Sequence, residues 1–221
     1  MPSDLTYTPA AGHHWLTPLY DFGVAALTRE HRWRSALIAQ VRPVPGDVIV
    51  DVGCGTGSLL ERLGKAAPSA RLIGIDPDPA MLARARKKAA AAGLSVELHI
   101  GFGRQAAELL GSQLVTKVVS SLVFHQVPLE EKVAAFGAMY AALGAGGEIH
   151  IADYGLQRTR LMQTLFRGII QNLDGLSNTE PNARGVLPEL MHAAGFRSVE
   201  ETLVIPTVSG SISLYRGIRR G

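Results

Sequence analysis

The chain has 221 residues, 47% hydrophobic and 19% charged, with a formal net charge of +3, which excludes a disordered or fibrous chain and suits one domain with a sizeable core. A single cysteine, Cys54, excludes an intramolecular disulfide and a cysteine-based metal cage. No run reaches the ~20 uncharged apolar residues of a membrane span, and Met1–Pro9 lacks the basic start and apolar segment of a secretory signal, so a cytoplasmic location is expected.

Residues 1–45 read as an N-terminal helical lid, turn-rich over Tyr7–Gly12, amphipathic over Val24–Val41 and closed by Pro43, Pro45 and Gly46. Residues 46–221 read as the core, the two forming one structural domain. Apolar runs predict strands at Val48–Val52, Arg71–Ile75, Val96–Ile100, Thr116–Leu122 and Glu148–Ala152. Helical patterns cover Ser58–Ala66, Ala80–Ala92, Gln105–Leu110 and 129–143 between them; Pro79 suits a helical first turn and Gly93 a helical end. After the Gly146-Gly147 turn and the fifth strand, Gln157–Leu173 is expected to be helical and Asp174–Arg184, containing Pro181, a loop. A short helix, Leu187–Ala194, then leads to strands Val199–Ile205 and Ser211–Ile218. Only Pro206–Gly210 separates these two, which predicts an antiparallel hairpin. The alternation before them predicts a parallel α/β sheet with helices on both faces.

The stretch Val48 to Leu60, Val-Ile-Val-Asp-Val-Gly-Cys-Gly-Thr-Gly-Ser-Leu-Leu, carries the main functional signal. An apolar strand ends at Asp51, and Gly53, Gly55 and Gly57 then turn the chain into a helix start. Such a turn lets a ligand approach the backbone without a Cβ in the way. Asp76 closes the next apolar run about 20 residues beyond the glycines, where a nucleotide-binding unit presents a carboxylate to ribose hydroxyls. The dinucleotide fingerprint requires a third glycine where this chain has Ser58, so the pattern departs from it by one residue.

With Asp51 before the glycines and Asp76 after them, the stretch resembles the first motifs of the class I S-adenosylmethionine-dependent methyltransferases. The resemblance covers almost the whole chain. It implies a seven-stranded, mostly parallel Rossmann-like sheet with an antiparallel C-terminal hairpin, and S-adenosyl-L-methionine as cofactor, with S-adenosyl-L-homocysteine as product. It also implies a cofactor site of Asp51, Gly53, Cys54, Gly55, Gly57, Asp76, Pro77, Met81, Gly101, Phe102, Ser120 and Ser121. Cys54 reads as a small packing residue of the loop, and Met81 as either an adenine contact or a core methionine. Two positions depart from the relatives: Gly101-Phe102-Gly103 where they often read Gly-Asp-Ala, and Thr116-Lys117 where they commonly have Phe-Asp. Phe102 is open to two readings, a ring stacked on adenine or a core residue.

Ser120 to Pro128 resembles the segment ending His-His-Leu-Pro in the ubiquinone/menaquinone-biosynthesis C-methyltransferase-like enzymes (methyltransferase type 11/25), with His125 as the first of those histidines. His125 is thus a candidate base or a loop hydrogen-bonding residue. Tyr20, in a Tyr20-Asp21 pair like that of the relatives' lid, and Asp153 are further catalytic candidates; Tyr154, His13 and His14 are candidates for the acceptor pocket. The absence of Asn/Asp-Pro-Pro-Tyr/Phe at this segment argues against exocyclic amino methylation of nucleic-acid bases, and the missing acids at Ser120 and Ser121 argue against a magnesium-dependent catechol enzyme, so no metal is expected. The acceptor expected is a small organic molecule with a C, O or N nucleophile, quinone-like or lipid-like. Residues 157–195 are expected to shape its side of the site. Arg29–Arg34 leaves peripheral membrane contact open, and the sequence sets no oligomeric state. Two alternatives stand beside this reading, an NAD(P)-dependent oxidoreductase and a non-catalytic S-adenosylmethionine-binding protein.

Overall fold

The apolar runs form the interior of one seven-stranded sheet. In the computed structural model, which describes residues 29–221, the strands are β1 Val48–Val52, β2 Arg71–Asp76, β3 Val96–Ile100, β4 Val115–Ser121, β5 Leu143–Tyr154, β6 Arg197–Thr207 and β7 Gly210–Ile218. Their spatial order is β3-β2-β1-β4-β5-β7-β6. The first five are parallel, and β7 runs antiparallel to both β5 and β6. This is the expected fold class. The strand order reverses between β1 and β4, which opens a crevice at their carboxyl ends.

Alternation along each strand divides the core between two faces. Val50, Val52, Ile73, Ile75, Val118 and Ile151 meet α4 (Ala106–Leu110), α5 (Leu129–Ala142) and α9 (Val186–Ala193). Ile49, Leu72, Val119 and Ala152 meet α1 (Glu30–Val41), α2 (Ser58–Ala66) and α3 (Pro79–Ala91) on the other. In α1 the spacing of four places Trp33, Leu37 and Val41 in one stripe, and all three are fully buried. Of the predicted lid, then, residues 1–28 lie outside the described residues and α1 is packed into the core.

The departure at Lys117 has a local explanation. Lys117 Nζ pairs with Asp47 Oδ2 at 2.5 Å, and Asp47 also accepts from the Thr116 hydroxyl at 2.9 Å and the Val44 N–H at 2.8 Å. Burial opposes ionisation of Asp47, but the Lys117 hydrogen bond and the other donors hold its pKa below the usual carboxylate value. The acid sits on the segment entering β1 instead of on β4.

The structure corrects several boundaries. The Gly146-Gly147 turn is absorbed into β5, which starts at Leu143; the β4–β5 register shifts between Val115 and Lys117, and Gly146 adopts φ +75° there. The helix expected at Gln157–Leu173 begins at Arg160 as α6 (Arg160–Phe166), passes through a π turn at Arg167–Gln171, and ends as α7 (Asn172–Asp174). The expected loop 174–184 is mostly helical: α8, Leu176–Ala183, contains Pro181. A proline in a helix removes one backbone donor; side-chain hydrogen bonds elsewhere tie this segment to its surroundings. Thr179 donates to the Gly175 carbonyl at 2.6 Å and Asn182 to the Tyr154 carbonyl at 3.0 Å. Pro206 lies within β6, so the final turn is tighter than expected. No helix among the described residues is long and apolar enough to cross a membrane.

Candidate active site

β1 ends on Asp51 and Val52, and the chain turns through Gly53, Gly55 and Gly57 at φ +74°, +53° and +74°. These glycines answer to different constraints. A Cβ on Gly53 would overlap the Val123 side chain, and one on Gly57 would stand 3.0 Å from the Cβ of Ala85 on α3. A Cβ on Gly55 would meet nothing within 4 Å. Two of the glycines serve packing, and the middle one borders open space.

Asp51 is the penultimate residue of β1, four positions before Gly55. It is 1% exposed, and neither carboxylate oxygen has a hydrogen-bond partner among the described residues. Burial pushes its pKa up to about 7, against the pull of the Arg34 guanidinium, and the Asp76 charge adds to the rise. A buried carboxylate left in that state is costly unless a donor or cation completes it.

Asp76, at the end of β2, braces the same loop. Its Oδ2 accepts the Gly55 N–H at 2.8 Å and its Oδ1 the Asp78 N–H at 2.9 Å. Burial raises its pKa, and those two bonds restrain the rise. Each oxygen keeps capacity for a further donor. Asp78, not Asp76, caps α3, accepting the Ala80 N–H at 2.7 Å. Cys54 is buried, and burial with the nearby Asp51 and Asp76 charges pushes its thiol well above the usual range, so it is not a nucleophile.

The other cofactor candidates lie along the same edge. Pro77 and Met81 are half-buried after β2 and in the first turn of α3. Gly101 donates its N–H to the Asp76 carbonyl at 3.2 Å, and its neighbour Phe102 is half-buried with the Arg104 guanidinium 4.8 Å from the ring centroid. The buried Ser120 hydroxyl donates to the Val52 carbonyl at 2.7 Å, tying β4 to β1, while Ser121 is half-buried at the end of β4.

His125 and Asp153 come together at the ends of β4 and β5. His125 lies in a one-turn 3-10 helix, Phe124–Gln126. Its Nδ1 is 2.8 Å from Asp153 Oδ1 and its Nε2 3.5 Å from Asp174 Oδ2, with the Tyr154 ring edge-on at 5.0 Å. Burial alone would lower the imidazole pKa, but the charge and hydrogen bond of Asp153, with those of Asp174, raise it to about 9. Asp153 is fully buried and also accepts the N–H groups of Val123, Phe124 and Tyr154 at 3.0, 2.6 and 2.7 Å. Its lone pairs are thereby committed. Tyr20, His13 and His14 lie outside the described residues.

The family pattern of the methyltransferase domain matches residues 49–147. The demethylmenaquinone methyltransferase of Thermus thermophilus is 28% identical over 80% of this chain and 82% of that protein. Together these matches support a class I S-adenosylmethionine-dependent methyltransferase. The carboxy-S-adenosyl-L-methionine synthase of Nitratiruptor is 36% identical over 41% of this methyltransferase, a match spanning only 39% of that protein's length. In fold it is similar to the magnesium protoporphyrin IX methyltransferase of Synechocystis, solved with bound S-adenosylhomocysteine (TM-score 0.63, 19% identity, 96% of this chain and 90% of that one). It is also similar to an O-methyltransferase family protein of Burkholderia thailandensis (TM-score 0.73, 16% identity, 95% and 61%).

S-adenosylmethionine carries an ammonium, a sulfonium and two ribose hydroxyls, and the edge fits them. It offers an uncompleted buried carboxylate at Asp51, an open backbone at Gly55 and spare acceptor capacity on Asp76. The methyltransferase also has a cleft of about 680 Å³ at the opposite, amino edge of the sheet, lined by Val44, Leu114 and Gly144–Glu148. It contains none of these residues.

Two residues of the site were missed in the sequence. Asp174 stood in an expected loop and gave no signal. Lys132 did give one. It shares the stripe Lys132, Ala135, Phe136, Met139 and Ala142 of α5, it is fully buried, and its Nζ donates to the Asn178 carbonyl at 2.6 Å. Burial lowers its pKa to about 8.

Proposed function

We propose that this methyltransferase moves the methyl group of S-adenosyl-L-methionine onto a small organic acceptor bound on the side of α6–α8. The observations that carry the reading are the buried, unpartnered Asp51 carboxylate at the end of β1 and the open Gly55 backbone in the loop that follows it. When bound, the cofactor supplies a methyl group on a sulfonium, already a good leaving group. The protein has mainly to align the acceptor with it and to manage the acceptor's proton.

In this proposal Asp51 meets the cofactor ammonium and Asp76 its ribose hydroxyls. The backbone of Gly53, Cys54, Gly55 and Gly57 forms the floor, and Pro77, Met81, Gly101 and Phe102 surround adenine. Ser120 acts by joining β4 to β1, and Ser121 borders the acceptor side. His125 faces the acceptor, and Asp153, its lone pairs spent, holds the imidazole in place. Tyr20 covers the cofactor from the N-terminal segment 1–45, with 46–221 as the core, and the setting is cytoplasmic. Similarity to demethylmenaquinone methyltransferases over 80% of the chain supports a quinone-like acceptor.

The test is incubation with methyl-labelled S-adenosylmethionine and a panel of hydroquinones, phenols and amines. Label transfer that Asp76→Asn loses is the expected result. Cofactor binding without transfer to any panel member would favour a non-catalytic binding protein.

A further inference from the structure

Residues 160–174 form one helical run of α6, the π turn Arg167–Gln171 and α7. Its inner side is apolar and covered: Phe166 and Ile170 are buried in the core on the same sheet face as α1. Its outer side is apolar too, and uncovered. Leu161 is 66% exposed and Leu173 68%, and Leu176, which opens α8 just past Gly175, is 61% exposed. Leu165 and Ile169 are half-buried. Positions 161, 165, 169 and 173 recur every four residues. On a helix of 3.6 residues per turn such a row drifts round the axis, and the wider π turn offsets part of the drift, so the four share one stripe.

The charge on this run has one sign. From Arg158 to Leu173 the chain carries three arginines and no acid. Arg158 is paired with Glu201, but Arg160 and Arg167 are exposed and stand in no ion pair among the described residues. Glu180, which feels the Arg167 charge, is itself bonded to Arg184 and Gln171. Asp174, the acid that ends the run, is turned to His125.

A single exposed leucine is ordinary. A row of them on a run with unopposed arginines and no acid suits a surface that is apolar and anionic at once. A second copy of the chain suits it less, because pairing this face with itself would bring its arginines together. The other basic stretch, Arg29–Arg34, offers less, since Arg34 pairs with Glu30 and its charge acts on the buried Asp51. We propose that the outer face of residues 160–176 docks on an anionic lipid bilayer. Leu161, Leu173 and Leu176 enter the boundary between headgroups and acyl chains, and Arg160 and Arg167 meet the lipid phosphates. Docking needs no methyl transfer and goes beyond that reading. Taken with it, the bilayer lies against the side of α6–α8 on which the acceptor is proposed to bind.

The experiment is co-sedimentation of the full chain with vesicles of phosphatidylcholine alone or of phosphatidylcholine and phosphatidylglycerol in equal parts. Binding to the mixed vesicles is expected, weakened by added salt and roughly tenfold or more weaker on phosphatidylcholine alone. Leu161→Gln, Leu173→Gln and Leu176→Gln together should lower affinity for the mixed vesicles roughly tenfold or more. Arg160→Gln with Arg167→Gln should lower it by a similar factor, on the mixed vesicles only. The changed side chains are exposed, so both variants should match the parent in thermal unfolding and in S-adenosylhomocysteine binding. Absence of parent binding to the mixed vesicles, or equal binding to both kinds, would overturn the docking. So would parental binding by the leucine variant, the result expected if a net charge of +3 alone drew the chain to anionic lipid. Self-association without lipid that the leucine variant abolishes would also overturn it, assigning the face to a second copy. Failure of the parent to bind S-adenosylhomocysteine would strike the methyl-transfer reading and leave the docking standing.

Discussion

His125 is held as an imidazolium by two carboxylates, and this has a stability signature. Its folded pKa, about 9, lies above the ordinary value of 6.5. The folded state therefore binds the proton more tightly, and the resulting stability is fully present below pH 6.5 and lost as pH rises through 9. The amount is on the order of 3 kcal/mol. Lys132 has the opposite sign. Its folded value, about 8, lies below 10.5, so its contribution is present above pH 10.5 and lost as pH falls through 8. Denaturant unfolding across pH 6–11 should show His125→Gln removing the decline and Lys132→Met removing the rise. Asp153→Asn should cost more than either, about 3–5 kcal/mol, because it strands a buried charge and disturbs three backbone donors.

At the scale of elements, the glycine loop separates packing from binding. Gly53→Ala should destabilise severely, since its Cβ would overlap Val123, and Gly57→Ala should cost less against Ala85. Gly55→Ala meets no neighbour and should cost only the roughly 1–2 kcal/mol of a left-handed non-glycine residue. Yet it should reduce S-adenosylhomocysteine affinity, a split that thermal unfolding and calorimetry on the same three variants would read. Equal losses of stability and affinity in all three would contradict it. For α1, Trp33→Ala should cost about 3–5 kcal/mol, as expected of a fully buried aromatic residue.

These elements also show what the sequence could reveal. Val48–Val52, Ser58–Ala66 and Val96–Ile100 were read to the residue because apolar period and glycine turns are local signals. The segment 157–184 was not. Over 157–173 the expected helix is present with a later start, whereas the helix at 176–183 contains Pro181 and is held by tertiary bonds, Lys132 to Asn178 and Asn182 to Tyr154, that no local pattern announces. The same holds at the site. Asp51, Asp76 and the glycines lie in one motif and were legible, whereas Asp174 reaches His125 only through the packing of α7 and α8.

For the whole molecule, the seven-stranded sheet, its switch point between β1 and β4 and its terminal hairpin all converge on one edge, where the acids and the open loop lie. A ligand that completes Asp51 binds the folded state alone, so S-adenosylhomocysteine at 100 times its dissociation constant should add about 2.7 kcal/mol of stability. The central claim is the identity of that ligand. Titration calorimetry with S-adenosylhomocysteine and, separately, NADH, on the parent and on Asp76→Asn, tests it most directly. The account predicts binding of S-adenosylhomocysteine that Asp76→Asn weakens roughly 10- to 100-fold, with no comparable heat from NADH; binding of NADH alone would contradict it.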